Sequence, residues 1–484
     1  MADTSSGSLR SRLAAVLPKH HRFGLYHLST PPVKTDALCS APPNERPDRT
    51  YCEKHFLAVS VAAPTDVLVL GLEMFVYTTA HATTLFVSKA DSTGCLKLLD
   101  LPRSSLSPTR EICTAFIAYL VENRRRNGIQ LVISLFARAQ GQYLFPGSVK
   151  YAGKHVLDDR GLVKWWCRAL DPLLDRTQSK TWARVQGYLV VPGLEPPETR
   201  ALLPRTRSDA GSGWLIGHPL ERISHYWREF DWVPPRCLIP RFPDDPKSRF
   251  RDELDEEAAK SGLMRDLGSW KSVKTLDTFW EVMGFRQECS SGRMTGFIWV
   301  VFDDDEATKD SNSRPQTPKR EPRGIPRTTP KKLCRCRGDN SPRASADDSK
   351  QAEEGKAKKR RKRLKGLIEP RQPRVKTTRR TYVADIPSTS KYYFWPRQGR
   401  GERIVDEADY KRIVDLLLHL DFATPDKATG SSRRWIDEAG MGRPWGFEVT
   451  GAREPPPASS AAADSDGKTT KRVNNLSSLV KRKR

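Results

Sequence analysis

Three apolar runs follow one another almost without interruption: HFLAVSVAA at 55–63, VLVLGLEMFVYTT at 67–79 and TLFVSKA at 84–90. They are partly alternating, rich in Val, Leu and Phe, and broken only by short polar stretches. That pattern reads as successive strands of one sheet. Helical patterns occur on both sides of these runs in the sequence. Residues 9–17 (LRSRLAAVL) carry apolar positions at helical spacing and are closed by Pro18. Residues 110–126 (REICTAFIAYLVENRRR) read as an amphipathic helix whose basic end suits its C-terminal dipole. Residues 158–174 read as a helix capped by Asp158 or Asp159. A buried strand (IQLVISLFA, 129–137) lies between the last two, and 182–193 (WARVQGYLVVPG) reads as chain entering a loop. Strands mixed with helices argue for an α/β or α+β domain.

The composition changes at 303–305. From there to about 376 the chain is Ser, Pro, Lys, Arg, Asp and Glu, too poor in apolar surface to offset the entropy of ordering, so this stretch is expected to be disordered. Apolar periodicity resumes at 381–387 and 392–396, and a helix is expected over 406–422. The expected organisation is a core in two parts, 1–302 and 377–446, separated by a charged insertion at 303–376 and followed by a basic tail at 447–484.

The net charge is +25, which points to polyanionic company: nucleic acid, acidic proteins or a phosphate-bearing cofactor. Two basic runs, KAKKRRKRLKG at 356–366 and the terminal KRKR, read as nuclear import signals or as solvated charged linkers. The nine cysteines are scattered, which fits a reducing compartment. Cys334 with Cys336, or Cys52 with His55, lacks the second half a zinc site needs, so no metal is expected. The first residues carry charges without an apolar core, and no stretch reaches the ~20 apolar residues of a membrane span; a soluble nuclear protein without membrane association is expected. Walker A, G-x-G-x-x-G, H-E-x-x-H and G-x-S-x-G motifs do not occur.

Two clusters hold chemistry-bearing residues. In IPRFPDDPKSRF (239–250), Asp245 can cap a helix that Pro246 begins, and a capping Asp can also face a cleft, while Lys247 can pair with Asp244. In KWW, Trp165 and Trp166 project about 100° apart on a helix, so one can fill the core while the other lines a pocket.

Four stretches, LFVSKADSTG (85–94), LFARAQGQYLFPGSVKYAGKHVL (135–157), LVKWWCRALDPLL (162–174) and IPRFPDDPKSRF, together resemble the fungal histone H3 lysine acetyltransferases that work with histone chaperones, the regulator-of-Ty1-transposition family. The likeness covers about 9–300 and, more weakly, 380–440. It implies an α/β fold with a central mixed sheet wrapped by helices, similar to the metazoan CREB-binding-protein acetyltransferases. It implies acetyl-CoA as donor and histone H3, with H4, as acceptor. Ala90, Asp91, Ser92, Phe136, Gln140, His155, Val156, Leu157 and Trp165 fall where the family contacts the cofactor. Tyr143 and Trp166 match aromatic residues of its acetyl-transfer site, and Asp244 and Asp245 its acidic pair. Lys247 matches a lysine that becomes acetylated, and Arg249 a nearby basic residue. The second cofactor loop corresponds to RSSLS at 103–107, starting with Arg103. About four extra residues precede it, Ser107 stands where the family has a basic residue, and Gln140 replaces a small one.

On this reading Asp245 orients the acceptor lysine or relays its proton, between walls formed by Trp166 and Tyr143. A basic enzyme and a basic histone repel, so an acidic intermediary is expected on charge alone. The family suggests two, chaperones of the anti-silencing-function and nucleosome-assembly types, with 356–366 as the docking run. The rival reading is a non-catalytic chromatin- or nucleic-acid-binding protein that binds DNA through the basic tracts.

Overall fold

The computed structural model describes residues 7–62, 66–101, 107–175, 182–204, 213–260, 269–286, 293–304 and 386–454. Its strands are β1 (Arg22–Ser29), β2 (Val33–Thr35), β3 (Thr50–Ala62), β4 (Asp66–Thr78), β5 (Ala82–Ser92), β6 (Gln130–Ala137), β7 (Arg184–Val190), β8 (Trp214–Ile216), β9 (Gly296–Asp303), β10 (Arg403–Ile404) and β11 (Phe447–Thr450). Its helices are α1 (Leu9–Val16), α2 (Pro108–Asn123), α3 (Asp159–Leu170), α4 (Pro196–Arg200), α5 (Leu220–Ile223), α6 (His225–Glu229), α7 (Pro246–Lys260), α8 (Leu276–Gly284), α9 (Glu407–Leu417) and α10 (Pro425–Gly440).

The strands make one mixed sheet in the order β10-β1-β3-β4-β5-β6-β9-β7-β8, with β11 also on β1 and β2 on β3. The three apolar runs are the antiparallel meander β3-β4-β5 at its centre. A parallel neighbour needs a crossover, and α2 provides it between β5 and β6. Alternation sends successive side chains to opposite faces. On β9, Ile298, Val300 and Phe302 join the core that α1, α2, α3, α9 and α10 cover. Phe297, Trp299 and Val301 join a second core with Leu220, Phe250, Trp270 and Phe279.

Several elements differ from the sequence reading. Residues 184–190 are a strand, not the approach to a loop, and lie between β8 and β9. Gly187 sits at its middle because the Trp214 ring lies against it: a Cβ there would come within 2.6 Å of the indole. The basic end of the second expected helix is not helical. α2 stops at Asn123, and Arg124 turns into the core. Only 1% exposed, Arg124 makes two bonds to Glu53, from Nε (2.9 Å) and Nη2 (2.5 Å), and donates to the Gly399 carbonyl. Trp395 donates to the same carboxylate, and His55 and His27 extend the chain of contacts. His55 is thus occupied. Cys52, an odd number of residues away on the same strand, faces the other side, so the two form no half-site.

The expected insertion at 303–376 lies outside the described residues except for Asp303 and Asp304. These end β9 and its exit, paired with Arg222 and Arg125. Residues 447–450, expected within the tail, form β11 on β1. The basic run 356–366 and the terminal KRKR lie outside the described residues, as do Cys334 and Cys336. Among the described residues no helix is long and apolar enough to cross a membrane.

Candidate active site

The β4–β5 ladder slips by one residue: Glu73 faces Lys89 while Met74 faces Val87, leaving Ser88 as a bulge. The bulge turns Ser88 and Lys89 toward the buried Glu73 carboxylate, 2.9 and 3.0 Å away. It also re-aims the last residues of β5, 88–92, which form one wall of a cleft of about 930 Å³.

Asp91 organises this wall. One carboxylate oxygen accepts from the backbone N–H groups of Tyr143 (2.7 Å), Leu144 (2.9 Å) and Phe145 (3.3 Å). The other accepts from Ser92 N–H and from the Lys154 ammonium, each at 2.8 Å. The loop after β6 and the loop carrying Lys154 are therefore both fastened to the end of β5. Gly94, at φ +86°, lets the chain pass the second loop. A Cβ there would lie 2.4 Å from the Lys154 nitrogen.

Helix α3 supplies the facing wall. Asp158 caps it by accepting from Gly161 N–H at 2.7 Å. Asp159 accepts from Ala139 and Met294 N–H, which fixes the helix to the exit of β6 and the entrance to β9. Trp165 and Trp166 meet edge to face at 4.9 Å. Both line the cleft, and Trp166 is also core, only 5% exposed.

The acidic pair divides. Asp244 takes a left-handed conformation (φ +57°), which Asp tolerates, and lines the cleft. It accepts from the Tyr143 hydroxyl at 3.3 Å. Burial, with Asp244 beside it, pushes the Tyr143 phenol up to about 12. Asp245 does not line the cleft. It is fully buried, accepts from Lys247 N–H at 3.0 Å at the start of α7, and pairs with the Lys247 ammonium. Lys247 therefore pairs with Asp245 and not with Asp244. Its ammonium lies over the Phe242 and Phe297 rings, 4.9 and 5.6 Å from their centroids. Burial pushes the lysine down and the aspartate up, and their mutual attraction opposes both shifts.

The cleft brings together Ala90, Asp91, Ser92, Phe136 and Gln140 from the two strand ends. His155, Val156 and Leu157 come from the loop before α3, alongside Trp165, Trp166, Tyr143, Asp244 and Arg249. Asp245 and Lys247 stand behind it. Arg103 lies outside the described residues, but Ser107 lines the cleft at the start of α2. Sequence reasoning missed the other cations of the lining, Lys89, Lys97, Arg138 and Lys154. The signal available for them was their position inside or beside the matched stretches. A cleft with several cations and the N-terminus of the 16-residue α2 suits a phosphate-bearing ligand. Its aromatic end can exclude water around a reacting group.

The family model "Histone acetyltransferase KAT11-type domain" matches residues 9–130 and 126–438. The chain is 38% identical to Histone acetyltransferase rtt109 of Aspergillus flavus over 96% of its own length and 86% of that protein. It is 33% identical to Histone acetyltransferase rtt109 of Schizosaccharomyces pombe over 48% of its own length and 56% of that protein. The crystal structure of Rtt109 from Aspergillus fumigatus superposes with a TM-score of 0.68 at 36% identity, covering 92% of this chain and all of that one. The chain belongs to the histone acetyltransferases with a KAT11-type domain.

Proposed function

We propose that this enzyme transfers the acetyl group of acetyl-CoA to lysine side chains of histone H3, presented with H4 by acidic chaperones of the anti-silencing-function and nucleosome-assembly types, in the nucleus. The observation that carries the reading is the Tyr143–Asp244 contact, which joins the loop after β6 to the start of α7 beside Trp166 at the wall of a cation-lined cleft. Acetyl-CoA supplies an activated thioester. The cleft suits it in size and in donors: Lys89, Lys97, Arg138 and Lys154, with Ser107 at the start of α2, offer charge and hydrogen bonds to its phosphates.

The acceptor amine must lose a proton, since a lysine in water titrates near about 10.4. Trp165, Trp166 and Tyr143 remove water from the amine, which favours its neutral form. Asp244 faces the cleft, orients the amine and passes its proton to solvent. Tyr143 stays protonated and holds Asp244 in place. Asp245 acts from behind, by fixing the first turn of α7 through Lys247. The same lysine is the proposed site of self-acetylation, which would remove its charge. Intact mass and peptide mapping before and after cofactor incubation test that step.

The main experiment mixes the protein with labelled acetyl-CoA and H3–H4, with and without an acidic chaperone. Label on H3 that rises with chaperone and falls in Trp166→Ala is expected. No transfer under any condition, with DNA binding intact, would replace this reading by the non-catalytic one. Deleting 356–366 is expected to weaken chaperone binding and flatten its salt dependence.

A further inference from the structure

Outside the residues that line the cleft, three segments distant in sequence bring together side chains suited to metal ligation. Asp48 comes from the loop before β3, His81 from the turn between β4 and β5, and His225 from the first position of α6. Their ligand-type atoms all lie within 4.8 Å of one another. The two imidazoles are stacked, with centroids 4.0 Å apart and planes within 5° of parallel, and His225 Nδ1 is 3.6 Å from Asp48 Oδ2.

A simpler account would be a stacked histidine pair beside an ion pair. Two observations weigh against it. Among the described residues, no lysine or arginine pairs with the Asp48 carboxylate. The group is a half-buried carboxylate facing two imidazoles, donors of the kind that hold a borderline cation.

The second observation is independent. A small cavity of about 90 Å³ is lined by Asp48, His225, Tyr226 and Trp299. Among the described residues, the Trp299 indole N–H, 1% exposed, finds no acceptor. Nor, among the same residues, does the Tyr226 hydroxyl, in a residue 5% exposed, find an acceptor for its proton. Buried donors are rarely left without acceptors, and a cavity of this size has room for ordered water or hydroxide that would serve them.

We propose that Asp48, His81 and His225 bind one divalent transition-metal ion, Zn²⁺ by the chemistry of the donors, with a water on the cavity side completing a four-coordinate site. Two histidines and a carboxylate form a borderline donor set that zinc accepts, and four-coordination leaves one position for water. Ligands at ~2.0–2.2 Å in a tetrahedron are about 3.3 Å apart, so the set must contract by roughly an ångström and a half. Exposed His81, on a turn, can do this by changing rotamer. The ion would fasten the loop that carries Asp48. That loop also places the Leu38 carbonyl and Ser40 on Arg241 and Arg251, at the base of the acidic pair. The site is independent of the acetyl-transfer reading.

The test uses full-length protein stripped with chelator, then titrated with Zn²⁺ by calorimetry and with Co²⁺ by absorbance. One ion per chain is expected, with visible ligand-field bands of a tetrahedral site, no thiolate charge-transfer band, and a raised thermal midpoint. His81→Ala should weaken binding by at least about tenfold, since even partners that only support a ligand are worth that much. His81 is exposed, so this variant keeps its fold, and circular dichroism checks it. Asp48→Asn provides a second variant. Absence of stoichiometric binding, a thiolate band assigning the ion to cysteines, or unchanged affinity in His81→Ala would each overturn the proposal.

Discussion

The Asp245 carboxylate and the Lys247 ammonium meet inside the first turn of α7, where neither touches solvent. Removing one partner leaves the other buried and uncompensated, which costs about 3–5 kcal/mol. Asp245→Asn is therefore expected to lower unfolding free energy by that order in denaturant titration, along with turnover. Replacing both, as Asp245→Asn with Lys247→Met, should recover most of the stability. If the double variant is as unstable as the single one, the pair is not what holds α7.

Tyr143 stays a donor throughout the working range, because its pKa is pushed up to about 12. Tyr143→Phe removes the bond to Asp244 and little packing. Turnover should fall by about 10²-fold, the scale of losing one positioned donor, with the thermal midpoint nearly unchanged. No limb of the pH–rate profile should disappear with it, since the phenol does not titrate near neutrality.

Asp91 binds three backbone N–H groups and a lysine across two loops. Asp91→Ala leaves those donors unmatched, at roughly 1–3 kcal/mol each where they stay buried. Acetyl-CoA affinity should drop together with protease resistance of residues 141–157. Asp91→Asn, which keeps one acceptor oxygen, should lose less of both.

The network at Glu53 predicts acid lability. Burial pushes Glu53 upward, but Arg124 and His55 overcome it and hold the carboxyl at about 2. His27 and His55 are lowered, mainly by burial. All three bind fewer protons folded than unfolded in acid, so stability falls as pH falls. The histidine part is lost from about pH 6.5 downward. The Glu53 part, on the order of 3 kcal/mol, is lost between about 4.5 and 2. Denaturant midpoints measured across this range should decline in that order. A flat profile from 6.5 to 4 would contradict the neutral buried histidines.

The parts of the fold that could be read in the sequence were those with strong local signals. The meander β3-β4-β5, α1, α3 and the start of α7 carry periodicity or caps. β1 (RFGLYHLS) escaped because His27 and Ser29 are buried there by partners far away in the chain. β7 escaped because Gly187, a loop residue by composition, serves the Trp214 ring. α10 (PDKATGSSRRWIDEAG) has few apolar residues, and Trp435 with Ala428 and Ala439 makes most of its buried face. For the site, the resemblance located the cleft-lining stretches. It could not show that the positive φ of Asp244 sends the two neighbouring acids to opposite destinations. Nor could spacing reveal Asp48, His81 and His225, which only the sheet turns bring together.

The outer edge of β1 is closed by β10 and β11, with Arg22 opposite Thr450. A ribosome adding about 5–20 residues per second takes on the order of 20–90 s to pass from one to the other. Throughout that interval the N-terminal half of the sheet presents an unpaired edge, the feature most prone to join a neighbouring chain. Nascent copies on a polysome are therefore most vulnerable before translation reaches residue 450. Yield in a heterologous host should respond more to slower synthesis and to chaperones acting on the growing chain than to changes in the finished protein's stability.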